Sequence, residues 1–152
     1  MNKEKNKERR EITIFREFAR KSEVGIEPAS VSSCRPPEPD IICAVRGKGC
    51  VRFELTEACA PEFAQAINNP NPEGVYSCWS SDVSEDTLRK KLSKSYPVPE
   101  PVELLIFTDG ATAKPDSQLI REFREILKES QGQFRRVWLM GDEIHQLWPE
   151  TS

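Results

Sequence analysis

Ile12, Phe15, Phe18 and Ala19 recur at helical spacing within a charge-dense stretch, which predicts an amphipathic helix from about Lys5 to Lys21. Gly25 and Pro28 break it. Three strands are then expected. Ala29 to Arg35 is short and limited by Pro36, Pro37 and Pro39. Asp40 to Arg46 follows, and Cys50 to Glu57 returns antiparallel after the Gly47-Lys48-Gly49 turn. Alternation on the last strand sets Cys50, Arg52, Glu54 and Thr56 on one face and Val51, Phe53, Leu55 and Glu57 on the other.

Pro61 opens an expected short helix through Phe63, Ala64, Ala66 and Ile67, and Asn68 to Gly74 reads as loop. Ser84 is the expected N-cap of the next helix, with Glu85 and Asp86 in its first turn and Val83 stapled onto Leu88. That helix carries Arg89, Lys90, Lys91 and Lys94, and prolines 97, 99 and 101 follow it. Glu103 to Thr108 is a nearly unbroken apolar run, as a strand covered on both faces requires. Asp116 is expected to cap a helix bearing Leu119, Ile120, Phe123, Ile126 and Leu127, with Gly132 as its stop and Phe134 to Met140 as a final strand. The passage from Glu103 to Met140 therefore predicts a parallel crossover, and the whole order predicts a mixed α/β fold around a central sheet.

Bulk properties alter this picture little. Residues 1–152 suffice for one domain with its own core. The net charge of −3 announces no polyanion partner, although a local basic patch is enough for nucleic acid. Cys34, Cys43, Cys50, Cys59 and Cys78 show neither zinc spacing nor a disulfide framework and are expected to be mostly small buried residues. The charged N-terminus is no signal peptide and no apolar run reaches membrane-spanning length, so a cytoplasmic protein with no membrane partner is expected. A homodimer is open, without an interface signature.

The candidate chemistry lies on the middle two strands. Asp40 opens one, Glu54 sits within the next, and a tight turn joins them. On a common face, their carboxylates would converge on a hard cation such as Mg²⁺ or Mn²⁺, which takes one or two carboxylates, water and phosphate oxygens. The structural alternative is a turn residue at Asp40 and a Glu54 paired with Arg52, Arg46 or a backbone donor, since a carboxylate between Phe53 and Leu55 needs a partner. The basic helix face reads most simply as solvated, Thr108-Asp109-Gly110 as a turn, Trp138 and Trp148 as packing, and His145 with Asp142 as no triad.

Pro39-Asp40, thirteen further residues, and Glu54-Leu55-Thr56 resemble the signature of the PD-(D/E)XK, or restriction-endonuclease-like, nuclease superfamily. The resemblance implies an α-β-β-β-α-β nuclease-like core from about residue 5 to residue 108, with an added C-terminal helix and strand. It implies Asp40 and Glu54 as metal ligands, a supporting acid at Glu11 or Glu17, and Gln65 as the glutamine found on the following helix in some branches. Where the family keeps its lysine this chain has Thr56, which carries no charge. That lysine migrates in some branches, and the substitutes here are Arg52, Lys48, and Lys90 or Lys91. Arg52 joins Asp40 and Glu54 in the candidate catalytic set because it shares the face of Glu54. The function implied is a metal-dependent nuclease acting on nucleic acid; a catalytically inactive binding or accessory module of the same fold is the alternative. An unrelated α/β interaction protein is the third reading.

Overall fold

The computed structural model describes residues 2–58, 81–108 and 115–150. The expected helix at Pro61, Gln65 on it, the loop to Gly74, Cys59, Cys78 and Asp109-Gly110 lie outside the described residues.

The described elements are α1 (Asn2–Lys21), β1 (Ser32–Ser33), β2 (Ile41–Val45), β3 (Gly49–Glu57), α2 (Ser81–Leu92), β4 (Val102–Phe107), α3 (Asp116–Glu129), β5 (Val137–Met140) and β6 (Ile144–Trp148). The strands form one six-stranded open mixed sheet in the order β1-β2-β3-β4-β5-β6. β2 is antiparallel to β1 and β3, the β3-β4 and β4-β5 pairs are parallel, and β6 returns antiparallel to β5. The mixed α/β architecture and the parallel crossover are as the sequence predicts.

The sheet is covered on both faces. Phe15 and Phe18 of α1 pack on Phe53 of β3, with ring centroids 4.8 and 5.8 Å away, among Ile41, Val51, Leu55, Leu105 and Trp138. On the opposite face, Leu88 of α2 and Leu119, Phe123 and Leu127 of α3 meet Leu104, Ile106, Val137 and Leu139. β4 supplies both cores, which is why its six residues are all buried and its sequence does not alternate. The strand's one charged residue, Glu103, is buried too, and it accepts hydrogen bonds from Trp138 Nε1 at 2.8 Å and Arg135 at 2.6 Å.

Several expectations change. The first expected strand shrinks to Ser32–Ser33, because Pro28–Ser30 forms a 3₁₀ turn. Ser30 Oγ there donates to Glu27 O and accepts the Ala44 N–H of β2. The helix expected to start at Ser84 begins at Ser81, so Ser84 lies inside it. Asp116 does not cap α3: Pro115 holds the cap position, and the Asp116 carboxylate instead accepts the N–H groups of Asp142 and Glu143, each at 3.1 Å, and meets His145 Nε2 at 3.1 Å. It thus ties down the turn into β6, a strand that the sequence pattern does not reveal. Its residues, Ile-His-Gln-Leu-Trp, bury only Leu147 and sit at a sheet edge across an irregular register. Of the described cysteines, Cys43 is buried, Cys34 half-buried and Cys50 exposed, all as free thiols.

Candidate functional site

Register brings Asp40 and Glu54 together. The Arg46-Gly47-Lys48 turn closes with Val45 opposite Gly49, made accessible by positive φ at Gly47 (79°) and Gly49 (78°). Pairing then runs to Ile41 opposite Phe53, and one step beyond it Asp40 stands opposite Glu54 on the same face of the sheet. Asp40 Oδ2 accepts the Leu55 N–H at 2.9 Å, and Glu54 Oε1 accepts the Asp40 N–H at 3.2 Å.

Glu54 is only 4 % exposed, and its second oxygen meets Lys91 Nζ at 2.7 Å. Lys91 reaches it because Leu88, one turn earlier in α2, is buried against the sheet and turns the same helix face inward. Gly132 lets α2 lie this close: its φ is 60°, and a Cβ there would collide with the Leu92 carbonyl oxygen.

α1 adds a third acid. Burial, and next the charge of Asp40, push the Glu11 carboxyl up to about 7, with Lys7 opposing. Burial and then Glu54 push Asp40 up to about 6, against the Leu55 N–H and Lys91. Of the two acids considered on this helix, Glu11 is the one beside the site. Glu17 pairs with Lys21 on the surface at 2.7 Å.

A cavity of about 270 Å³ opens over the pair, lined by Asp40, Glu54, Lys91, Lys94, Tyr96 and Lys7 among others. A smaller one of about 140 Å³ reaches Glu11 and Asp40 from the α1 side. Tyr96 had no signal in the sequence, since a tyrosine ahead of a proline-rich stretch shows no periodicity. It is 7 % exposed, and burial first, then the Glu54 carboxylate beside its hydroxyl, and then Asp40 raise its pKa.

No family model, curated protein or solved structure matches the chain.

The cationic candidates separate clearly. Arg52 is held by Glu100 at 2.7 Å and Glu38 at 3.2 Å, with Cys34 Sγ 3.7 Å away. Lys48 is exposed in the β2-β3 turn and lines a different cavity, and Lys90 is exposed on α2. Lys91 alone of the four bonds to a site carboxylate among the described residues. Of the basic residues of α2, Arg89 and Lys90 stay exposed, Arg89 in a surface pair with Glu129 at 2.9 Å, and Lys91 turns into the site. On the other face of β3, Glu57 pairs with Arg10 at 2.6 Å.

Among the described residues no three His, Cys, Asp or Glu side chains are grouped to hold a metal ion. Two hard carboxylates beside a cavity nevertheless fit the protein's share of a Mg²⁺ or Mn²⁺ shell, whose remaining positions go to water and phosphate.

Proposed function

We propose that this protein is a metal-dependent phosphodiesterase of the PD-(D/E)XK nuclease type, acting on nucleic acid. The observation that carries the reading is the 2.7 Å contact of Lys91 Nζ with Glu54, beside Asp40 and over the cavity. It puts an ammonium in the neighbourhood where the motif lysine is missing at Thr56. The described element order α1-β1-β2-β3-α2-β4 agrees with the α-β-β-β-α-β core that the resemblance implies.

In this reading Asp40 and Glu54 hold the cation, and Glu11 supports the cluster from α1. When bound, a divalent cation supplies Lewis-acid charge to the phosphate and acidity to water. Lys91, freed from Glu54, orients the attacking water and balances charge gathering on the phosphate oxygens. Arg52 has a different task, tying the start of β4 and the Glu38 loop to β3 through its two acidic partners.

One observation favours a second reading, a binding module of this type without chemistry. Three of the four oxygens of Asp40 and Glu54 already accept protein donors: Leu55 N–H, Asp40 N–H and Lys91. Titration calorimetry with Mg²⁺ and Mn²⁺ on wild type and Asp40→Ala/Glu54→Ala, beside plasmid-cleavage assays of wild type and Lys91→Met, separates the two. Binding lost in the double variant and cleavage lost in Lys91→Met support the enzyme. Absence of binding at millimolar metal overturns the metal centre, and binding without cleavage supports the module.

A further inference from the structure

Asp40 and Glu54 lie at the bottom of a narrow slot. Glu54 is 4 % exposed, Asp40 is half-buried, and the cavity over them holds about 270 Å³. That is less than the roughly 300–1,000 Å³ of an ordinary small-ligand pocket. Among the described residues three walls enclose it: Lys7 of α1, Pro36 to Glu38 ahead of β2, and Lys91 and Tyr96 at the end of α2.

Two of these walls are anchored. The loop ahead of β2 is closed by Cys34 N–H donating to Asp40 O at 2.8 Å and Glu38 N–H to Arg35 O at 3.0 Å. The Glu38 carboxylate then meets the buried Arg52 guanidinium at 3.2 Å. On the other side, Gln133 Oε1 accepts the Tyr96 N–H at 2.6 Å and Gln133 Nε2 donates to the Tyr96 carbonyl at 3.0 Å. The Tyr96 ring packs on Phe134 at 5.8 Å, and its hydroxyl lies beside Glu54. Walls held in this way do not part by side-chain rotation alone.

A phosphodiester within a duplex sits on a stiff rod, with a persistence length of about 50 nm. Bringing it down to carboxylates below the surface requires the strand to leave the helix, at a cost in pairing and stacking. An unpaired strand meets no such cost, because its nucleotides turn independently. The net charge of −3 supplies no general attraction to a duplex that would offset it.

We propose that the site selects single-stranded nucleic acid, an unpaired stretch or a frayed end, and excludes paired duplex. The inference rests on the nucleic-acid reading of this site; the selection itself rests on the burial of Glu54 and the anchored walls.

The test presents one sequence to the full chain as single strand and as blunt duplex, in DNA and in RNA, with Mg²⁺. Plasmid in negatively supercoiled and in relaxed closed form is assayed alongside. Single strands are expected to be cut at least about tenfold faster than duplex. Supercoiled plasmid, which opens unpaired stretches, should be cut faster than relaxed plasmid. Fluorescence anisotropy of Lys91→Met in Mg²⁺, and of wild type in EDTA, should show the same preference in binding. Ser95→Trp, which narrows the slot from an exposed position, should melt as wild type does and lose single-strand binding. Duplex and relaxed plasmid cut as fast as single strand would overturn the selection and leave the nuclease reading standing. Preferred binding of single strand without any cleavage would sink the chemistry and leave the selection standing. Single-strand binding undiminished in Ser95→Trp would put the contact elsewhere and overturn the inference, and a chain that neither binds nor cuts either form overturns both readings.

Discussion

Asp40 and Glu54 hold each other in place through the backbone: the Asp40 carboxylate accepts the N–H of Leu55, and the Glu54 carboxylate accepts the N–H of Asp40. The exchange ends the β2-β3 ladder with side chains where backbone groups would otherwise continue it. Both rotamers are thereby fixed before any ligand arrives, at the cost of crowding two carboxylates on a largely buried face. Lys91 offsets part of that crowding, which makes it at once a structural and a candidate chemical residue.

Lys91→Ala is expected to destabilise the chain by about 1–3 kcal/mol, less than a fully buried pair because the Lys91 side chain is 21 % exposed. Urea unfolding of the single variants and of Lys91→Ala/Glu54→Gln measures it. The double variant should recover much of the loss, since no unpaired charge remains; a loss equal to the sum of the singles would mean that the contact contributes nothing.

The acid cluster sets the sign of the pH response. Burial and neighbouring carboxylates raise Glu11 and Asp40, so between about pH 4.5 and 7 the folded chain keeps protons that the unfolded chain has released. Stability from these groups is complete below the unfolded values and falls as pH rises through the folded ones. Glu11→Gln should flatten that fall in the metal-free protein, and Mg²⁺ should restore stability on the alkaline side. Denaturation midpoints at about pH 5 and about pH 8 decide it. A midpoint difference unchanged in Glu11→Gln would count against the cluster.

Glu103→Ala should be among the most damaging single changes, costing about 2–4 kcal/mol. It leaves Trp138 Nε1 buried without its acceptor and removes the Arg135 partner. Thermal melts measure the loss, and Glu103→Gln, which keeps an acceptor for Trp138, should lose less.

Gly132→Ala should cost about 1–3 kcal/mol, since a side chain at φ 60° is strained and its Cβ meets the end of α2. Displacing α2 also moves Lys91. Any activity or metal binding that depends on Lys91 should therefore fall in Gly132→Ala more than in an equally destabilised variant of the opposite core such as Ile14→Val.

Much of the fold was legible because hydrophobic spacing is a local signal. The face of α1, the alternation of β3, the unbroken apolar β4 and the stripe on α3 each follow from burying apolar side chains at helical or strand period. Asp40 and Glu54 were legible as residues of neighbouring strands, because a short glycine-bearing turn joins them, but their register was not: a Gly47-Lys48-Gly49 turn would set Asp40 opposite Thr56, whereas the turn formed, Arg46-Gly47-Lys48, sets it opposite Glu54. The edge elements were not. β1 and β6 contribute few buried residues, and proline, serine and histidine at an edge obey local hydrogen bonding more than periodicity. Asp116 looked like a helix cap because only the helix was visible; the turn whose N–H groups it accepts lies 26 residues further on.

The sequence by itself determined that Asp40 and Glu54 belong to neighbouring strands and that an uncharged threonine, Thr56, stands two residues beyond Glu54. Tertiary structure decided that the two carboxylates face each other and which cation meets them. Arg52, Lys48, Lys90 and Lys91 are equivalent as charges along a chain. They become distinct only when Leu88 docks α2 on the sheet, Gly132 admits its end, and Glu38 and Glu100 engage Arg52. The same packing decided Glu11 over Glu17 and buried the Tyr96 hydroxyl. Coulomb and hydrogen-bond energies depend on distances of a few ångströms, and no local pattern encodes distances between elements dozens of residues apart.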